Sequence, residues 1–119
     1  MSILPISDVT TRALQASLRG LDARNAAIAD NVANVETPGF HAGVVNFEDS
    51  LRTALAEGSD VSDATATVTS SQAPTRLNGN NVNLDMEMVA QSESLLRTQL
   101  VVAALNSKYS MLRTAISGQ

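Results

Sequence analysis

The sequence predicts a mainly α-helical protein, with long N- and C-terminal helices paired in a coiled-coil-like arrangement around a flexible or short-β middle segment. Two heptad patterns, one at each end of the chain, and a polar stretch between them carry this prediction. The 119 residues suit a single subunit spanning residues 1–119. We expect an N-terminal helix over about 7–35, a turn, short helix and polar linker over 36–82, and a C-terminal helix over 83–117.

The N-terminal pattern repeats apolar residues every seven positions, with a second row interleaved between them. Such rows indicate a helix that packs along another helix. The one polar member, Asn25, would fix register and partner number if it lies in the seam, and a tolerated polar residue at a wet edge explains it equally well. The two rows contain Leu14, Leu18, Leu21, Asn25, Ile28, Val32 and Val35.

The C-terminal pattern begins after Asn83, a suitable N-cap, and carries Asp85 and Glu87 in the first turn, where the helix dipole favours acidic residues. Its apolar stripe is wider than a two-helix seam needs, so the helix should have more than one neighbour. Together with the N-terminal rows it forms the predicted assembly seam. The C-terminal members of that seam are Met88, Leu95, Val102, Leu105, Tyr109, Leu112 and Ile116.

The middle of the chain has a different composition. Residues 57–82 are rich in Ser, Thr, Asp, Asn and Gly, which favours a flexible segment, although alternating Thr and Val could form short strands. Residues 47–56 before it show the spacing of a short amphipathic helix, with Phe47 and Leu51 on one side.

Composition argues against catalysis and cofactor binding. The chain has no cysteine, which excludes thiolate metal sites, and its one histidine, His41, leaves little for a histidine-based metal site or a Ser-His-Asp triad. Asp60 and Asp63 are the nearest approach to paired carboxylates, but they lie in the polar linker, where solvent would surround both. Basic residues are scattered at a net charge of −4, so nucleic-acid binding has no support. We therefore expect a non-enzyme without cofactor.

The N-terminus has no basic region and no long apolar run, and no stretch approaches the roughly 20 apolar residues of a membrane span. The protein should therefore not insert into a membrane. It either stays in the cytoplasm or leaves by a route that reads no cleavable signal.

The stretch NVANVETPGF, residues 31–40, ends the N-terminal helix. Pro38 disfavours helical geometry at the preceding residue, and Pro38-Gly39 suits a type II turn, so the helix should end at about Val35 or Glu36. The stretch also resembles the Asn-apolar-Ala-Asn-x-x-Thr-Pro-Gly-aromatic signature of the bacterial flagellar rod and hook protein family. The residues that match this signature are Asn31, Ala33, Asn34, Thr37, Pro38, Gly39 and Phe40.

Residues 80–91 and 105–119, together with the short length, are similar to the short proximal rod members of that family. Asn83, where an acidic residue is more usual, and His41, where a lysine or glutamine is usual, depart from the pattern. The resemblance implies a structural subunit of the flagellar proximal rod, the drive shaft of the basal body. It also implies export without a cleavable signal and self-association in the rod. Its expected partners are other rod subunits, the rod-base and export-gate proteins, and the surrounding membrane-supramembrane ring.

Phe47 and Leu51 resemble a Phe-x-x-x-apolar element by which such subunits are thought to dock at the export gate, but one turn of a packed amphipathic helix gives the same spacing. Two alternative functions remain open at this point. One is the sister type of short proximal rod subunit, which shares the signature turn. The other is a cytoplasmic coiled-coil adaptor, which would have the heptads but no reason for that turn.

Overall fold

The computed structural model describes residues 8–118, which form two long helices, a short helix and a two-stranded antiparallel sheet. The predicted fold class is confirmed, with the short-β alternative realised in the middle segment. Along the chain the elements are α1 (Val9–Ala33), β1 (Gly43–Asn46), α2 (Glu48–Glu57), a 3-10 turn (Val61–Asp63), β2 (Thr67–Ser70) and α3 (Leu84–Ser117).

Helix α1 starts after Asp8, whose carboxylate accepts a hydrogen bond from the Thr11 backbone N–H at 2.7 Å. It ends at Ala33, two residues before the predicted end at Val35. The reason lies in Asn34, which has non-helical backbone angles and donates its side-chain N–H to the Asp30 carbonyl at 2.8 Å. That side chain occupies a carbonyl at the end of the helix and supports the change in chain direction. The predicted first residue, at position 7, lies outside the described residues.

Helix α3 covers Leu84–Ser117, one residue shorter than the predicted range 83–117, and Asn83 caps it by accepting a hydrogen bond from the Met86 backbone N–H at 3.2 Å. It runs antiparallel to α1, because early residues of one helix contact late residues of the other. Polar side-chain contacts join the two helices along their length. They are Asp8–Lys108 at 2.7 Å, Gln15–Tyr109 at 3.3 Å, Asn25–Ser94 at 2.6 Å and Asn31–Glu87 at 3.1 Å.

The face of α3 that meets α1 is not the face that carries the seven-residue row of large apolar side chains. Ser94 and Leu105 are the buried residues of α3, whereas that row is exposed over most of its length. Ser94 and Lys108 lie on the face that meets α1, where they donate to Asn25 and Asp8. Exposure is 52% at Met88, 55% at Leu95, 40% at Val102 and 73% at Ile116.

The apolar core is small and lies where α1, β1 and α3 meet. Leu21, Val45 and Phe47 form its buried centre, with Val101 of α3 packed against them. Strands β1 and β2 pair in antiparallel register, with Val45 opposite Val68, and β1 also contacts α1. The short helix begins one residue after the predicted start, because Phe47 turns into the core as the residue before α2.

None of the helices between residues 8 and 118 combines the length and apolar character needed to cross a membrane.

Candidate functional site

The signature turn has the geometry that its sequence predicts. Gly39 adopts a left-handed backbone with φ of 75°, and the Phe40 N–H donates to the Thr37 carbonyl at 3.2 Å, which closes a type II turn around Pro38-Gly39. A side chain at position 39 would be strained at this φ. The turn reverses the chain after α1 and directs it into β1.

Asn31, the first signature asparagine, joins the last turn of α1 to β1. Its side-chain oxygen accepts from the Gly43 N–H at 2.8 Å, and its side-chain nitrogen donates to the Gly43 carbonyl at 2.9 Å and to Glu87 at 3.1 Å. The amide therefore pairs with one strand residue as a neighbouring strand would. The carboxamide supplies both the donor and the acceptor that this pairing needs, and Asn31 is 2% exposed.

Asn34, the second signature asparagine, has a local role. In addition to its contact with the Asp30 carbonyl, its side-chain oxygen accepts from the Thr37 hydroxyl at 3.1 Å. It thus closes the end of α1 and holds the beginning of the turn, whereas Asn31 reaches across to the strand.

Asn80 makes the densest set of side-chain contacts, and from the sequence it is named only as the first residue of the stretch 80–91, with no role assigned to it. Its side-chain nitrogen donates to the backbone carbonyls of Asn34 and Thr37, both at 2.8 Å. Its side-chain oxygen accepts from the Val82 N–H at 2.7 Å and from Arg76 at 2.9 Å. The side chain is fully buried and all four hydrogen-bonding positions of its amide are filled.

Arg76 and Asn81 complete the same network. Arg76 donates to the carbonyls of Val35 and Val82, each at 2.6 Å. Asn81 accepts from the Ala42 N–H at 2.7 Å and donates to the Ser71 and Ala73 carbonyls at 3.0 and 3.1 Å. We call the set of Asn31, Asn34, Arg76, Asn80 and Asn81 the asparagine junction. It joins the end of α1, the sheet and the approach to α3.

Phe47, from the proposed gate element, lies on the surface of α1. Its ring covers Gly20 so closely that a Cβ atom there would overlap the ring, and it is 6% exposed. The Arg24 guanidinium stacks 4.8 Å from the ring centroid. Leu51 is half-buried and lines, with Phe47 and Leu100, a shallow apolar groove between α2 and α3. In the folded chain, these contacts directly support the interpretation that Phe47 and Leu51 pack against neighbouring elements.

Two carboxylates are held in the charged form by ion pairs. Hydrogen bonding from Arg24 at 2.7 Å lowers the pKa of Glu48 to about 2. Hydrogen bonding from Lys108, and then from the Thr11 backbone, lowers the pKa of Asp8 to about 2.

Asp60 and Asp63 were considered above as paired carboxylates, and the structure gives Asp60 a local structural role. Asp60 accepts from the Ser62 hydroxyl at 2.7 Å and backbone N–H at 3.0 Å, which caps the 3-10 turn and lowers its pKa. Among residues 8–118, no three His, Cys, Asp or Glu side chains converge as metal ligands.

The predicted seam residues of α1 lie mainly on its inner side. Leu21 and Ile28 are buried, and Asn25 accepts the Ser94 hydroxyl, so its contact is with the partner helix of the same chain. Val35 falls after the helix. The remaining seam residues of α1, Leu14, Leu18 and Val32, are half-buried in the single chain. Tyr109 and Leu112 of α3 are half-buried as well.

A long antiparallel helix pair, a polar junction at the signature turn and an uncovered apolar face on α3 fit the class of structural subunits that pack against other chains. Comparison with known proteins specifies the member.

The chain is 27% identical to the flagellar basal body rod protein FlgB of Bacillus subtilis, over 92% of this chain and 94% of that protein. It is 28% identical to FlgB of Escherichia coli, over 85% and 88%, and 31% identical to FlgB of Cereibacter sphaeroides, over 82% and 86%. No protein-family model matches the chain. The chain belongs to the FlgB family of flagellar basal body rod proteins.

Members of this family are structural rod proteins and not an enzyme family, and their names indicate the flagellar basal body. The function is that of a structural subunit of the proximal rod, and nothing in the comparisons favours the sister subunit or the coiled-coil adaptor.

Proposed function

We propose that the chain assembles into the proximal rod through α1 and α3, with the exposed apolar face of α3 packing on neighbouring subunits. The observation that carries this proposal is the exposure of α3, in which Ser94 and Leu105 are the buried residues among 34. Covering a large apolar side chain stabilises by about 1.5–3 kcal/mol, so contact with neighbours would make the assembled state much more stable. The most exposed apolar residues of α3 are Met86, Met88, Val89, Leu95, Leu96, Leu100, Met111 and Ile116.

Charge placed on this face tests the proposal. Leu96 and Leu100 are 62% and 70% exposed, so Leu96→Asp and Leu100→Asp should leave the single chain folded. They should nevertheless remove the protein from purified basal bodies and abolish swimming, because a carboxylate would be buried against an apolar neighbour. Asn106→Asp adds the same charge at an exposed polar position of α3 and should be tolerated. Incorporation of the leucine variants at the level of this control would refute the proposal.

The proposed partners follow from family membership and from this surface. They are further copies of the chain, other rod subunits, the rod-base and export-gate proteins, and the surrounding membrane-supramembrane ring. We assign the signature turn a positioning role in the same assembly, because it fixes the angle at which the chain leaves α1. An Asn31→Ala, Asn34→Ala double variant should therefore be expressed but fail to build rods, and normal swimming would contradict that role.

We further propose that the subunit is exported without a cleavable signal and that Phe47 and Leu51 are read at the export gate. Burial of Phe47 against Gly20 means that such reading would have to precede folding. Spacing and position after α1 support this role, and the core contacts of Phe47 support simple packing equally.

The stage of failure separates the two roles. If Phe47 is read at the gate, Phe47→Ala subunits should accumulate in the cytoplasm. Val45→Ala removes another buried member of the same core cluster and serves as the matched control, because it should impair folding but not export. Fractionation of strains lacking later rod subunits measures both. Equal secretion of the two variants would leave Phe47 with a packing role alone.

A further inference from the structure

The Asn78–Gly79 peptide can undergo a chemical reaction between its own atoms that has no role in assembly. Asn78 is exposed, and Gly79 has no side chain to shield its backbone nitrogen and adopts φ of 82°. In a chain that is free to rearrange, the nitrogen of Gly79 can reach the side-chain carbonyl carbon of Asn78. We propose that Asn78 is a deamidation site that is open in the unfolded chain and closed by the asparagine junction.

The reaction balances without an oxidant, a metal or an enzyme. The nitrogen of Gly79 forms a bond to Cγ of Asn78, and the side-chain amide leaves as ammonia, taking the proton of the backbone N–H. The product is a five-membered cyclic imide. Water then opens this ring at either carbonyl, which gives aspartate at position 78 or isoaspartate, in which the main chain runs through the former side chain.

The folded chain opposes the first step at three atoms. The Gly79 N–H donates to the Arg76 carbonyl at 2.9 Å, and the Asn78 side-chain oxygen accepts from the Asn80 N–H at 3.1 Å. The Asn78 backbone carbonyl accepts from the Gly39 N–H at 2.9 Å. Gly79 also backs directly onto Gly39, since a Cβ on Gly79 would lie 3.3 Å from the Gly39 Cα. Ring closure therefore requires the turn to separate from the signature turn.

The two products should have different consequences for the fold. Aspartate keeps the main chain unchanged, and its carboxylate can still accept from the Asn80 N–H. Isoaspartate inserts a methylene group into the main chain between the two residues. The carbonyl that faces Gly39 and the N–H that closes the turn on Arg76 then cannot both keep their positions. Chains carrying isoaspartate should fail to form the junction, whereas chains carrying aspartate should form it.

The test incubates the purified full chain in native buffer and in concentrated urea at the same pH and temperature. Peptide mass spectrometry and enzymatic methylation of isoaspartate then follow position 78 with time. We expect modification at least about tenfold slower in native buffer, because hydrogen bonds that each contribute modestly must open together. Asn83, which is followed by the branched Leu84, is the internal control and should stay intact in urea.

Equal rates in native buffer and urea would overturn the proposal, as would preferential modification of another asparagine in urea. Refolding separates the two products. After dilution from urea, Asn78→Asp should regain the native circular dichroism spectrum, and the isoaspartate-containing fraction should not. Recovery of both fractions would show that the junction does not depend on the main chain at position 78.

Discussion

Replacing Asn80 by aspartate changes one NH2 group into an oxygen atom and leaves the shape of the side chain unchanged. In the native chain that NH2 group donates to the Asn34 and Thr37 carbonyls, both at 2.8 Å, in a fully buried position. Asn80→Asp removes both donors and places an acceptor against two acceptors. The Val82 and Arg76 contacts on the other oxygen remain available.

The magnitude follows from these contacts. The two lost hydrogen bonds contribute about 0.5–1.5 kcal/mol each, and the new carboxylate oxygen, buried without a donor, costs about 1–3 kcal/mol more. The carbonyls themselves keep backbone hydrogen bonds, from the Thr37 N–H to Asn34 at 3.0 Å and from the Phe40 N–H to Thr37 at 3.2 Å. Attraction between the new carboxylate and Arg76 offsets part of this loss, so we expect Asn80→Asp to lower the free energy of unfolding by about 2–4 kcal/mol. For a domain with about 5–15 kcal/mol of stability, that is a large fraction.

Urea unfolding followed by circular dichroism at the helix band measures this change. Asn78→Asp is the matched control, because the Asn78 side-chain oxygen accepts a hydrogen bond that a carboxylate keeps. The control should unfold close to the wild type, and Asn80→Asp should unfold at a midpoint lower by roughly 1–2 M urea, given slopes of about 1–3 kcal/mol per M. A midpoint for Asn80→Asp equal to that of the control would refute the reasoning.

Two further predictions concern the contacts around Phe47. Gly20→Ala should lower the free energy of unfolding by about 1–3 kcal/mol, because the new methyl group displaces the Phe47 ring. Thermal melts measure this change, and Ser17→Ala, one turn away, is the control that should have little effect. The pKa of Glu48 is lowered from 4.5 to about 2 by Arg24, so its stabilising contribution is complete above about pH 4.5 and is lost as pH falls toward 2. The difference in urea midpoint between the wild type and Glu48→Gln should therefore shrink over that range, and a constant difference would contradict the assignment.

The helices could be predicted because their signals are local. Asn83 caps α3 at the predicted position, and the seven-residue rows lie within the helices that they predict, apart from Val35, which follows the end of α1. The pairing face of α3 was harder to predict, because it is marked by small and polar residues such as Ser94 and Glu87. Hydrophobic periodicity selects the largest apolar side chains, and most of those on α3, although not Leu105, are left uncovered in the single chain.

The asparagine junction could not be predicted from spacing. Asn80 contacts the carbonyls of Asn34 and Thr37, which lie 46 and 43 residues earlier in the chain. Its partners are backbone groups, which every residue offers, so no side-chain pattern marks the pairing. The resemblance around the signature turn indicated that Asn31 and Asn34 matter, but only the fold shows that each of them holds a different segment.

The ion pair between Asp8 and Lys108 joins residues that are 100 positions apart, and the remaining α1–α3 contacts also join the first third of the chain to the last. Contacts of such long sequence separation form slowly, because a large loop must close before they contribute. Helix α1 cannot cover its inner face until nearly the whole chain has emerged. The subunit can therefore complete its fold only after α3, its C-terminal helix, is present.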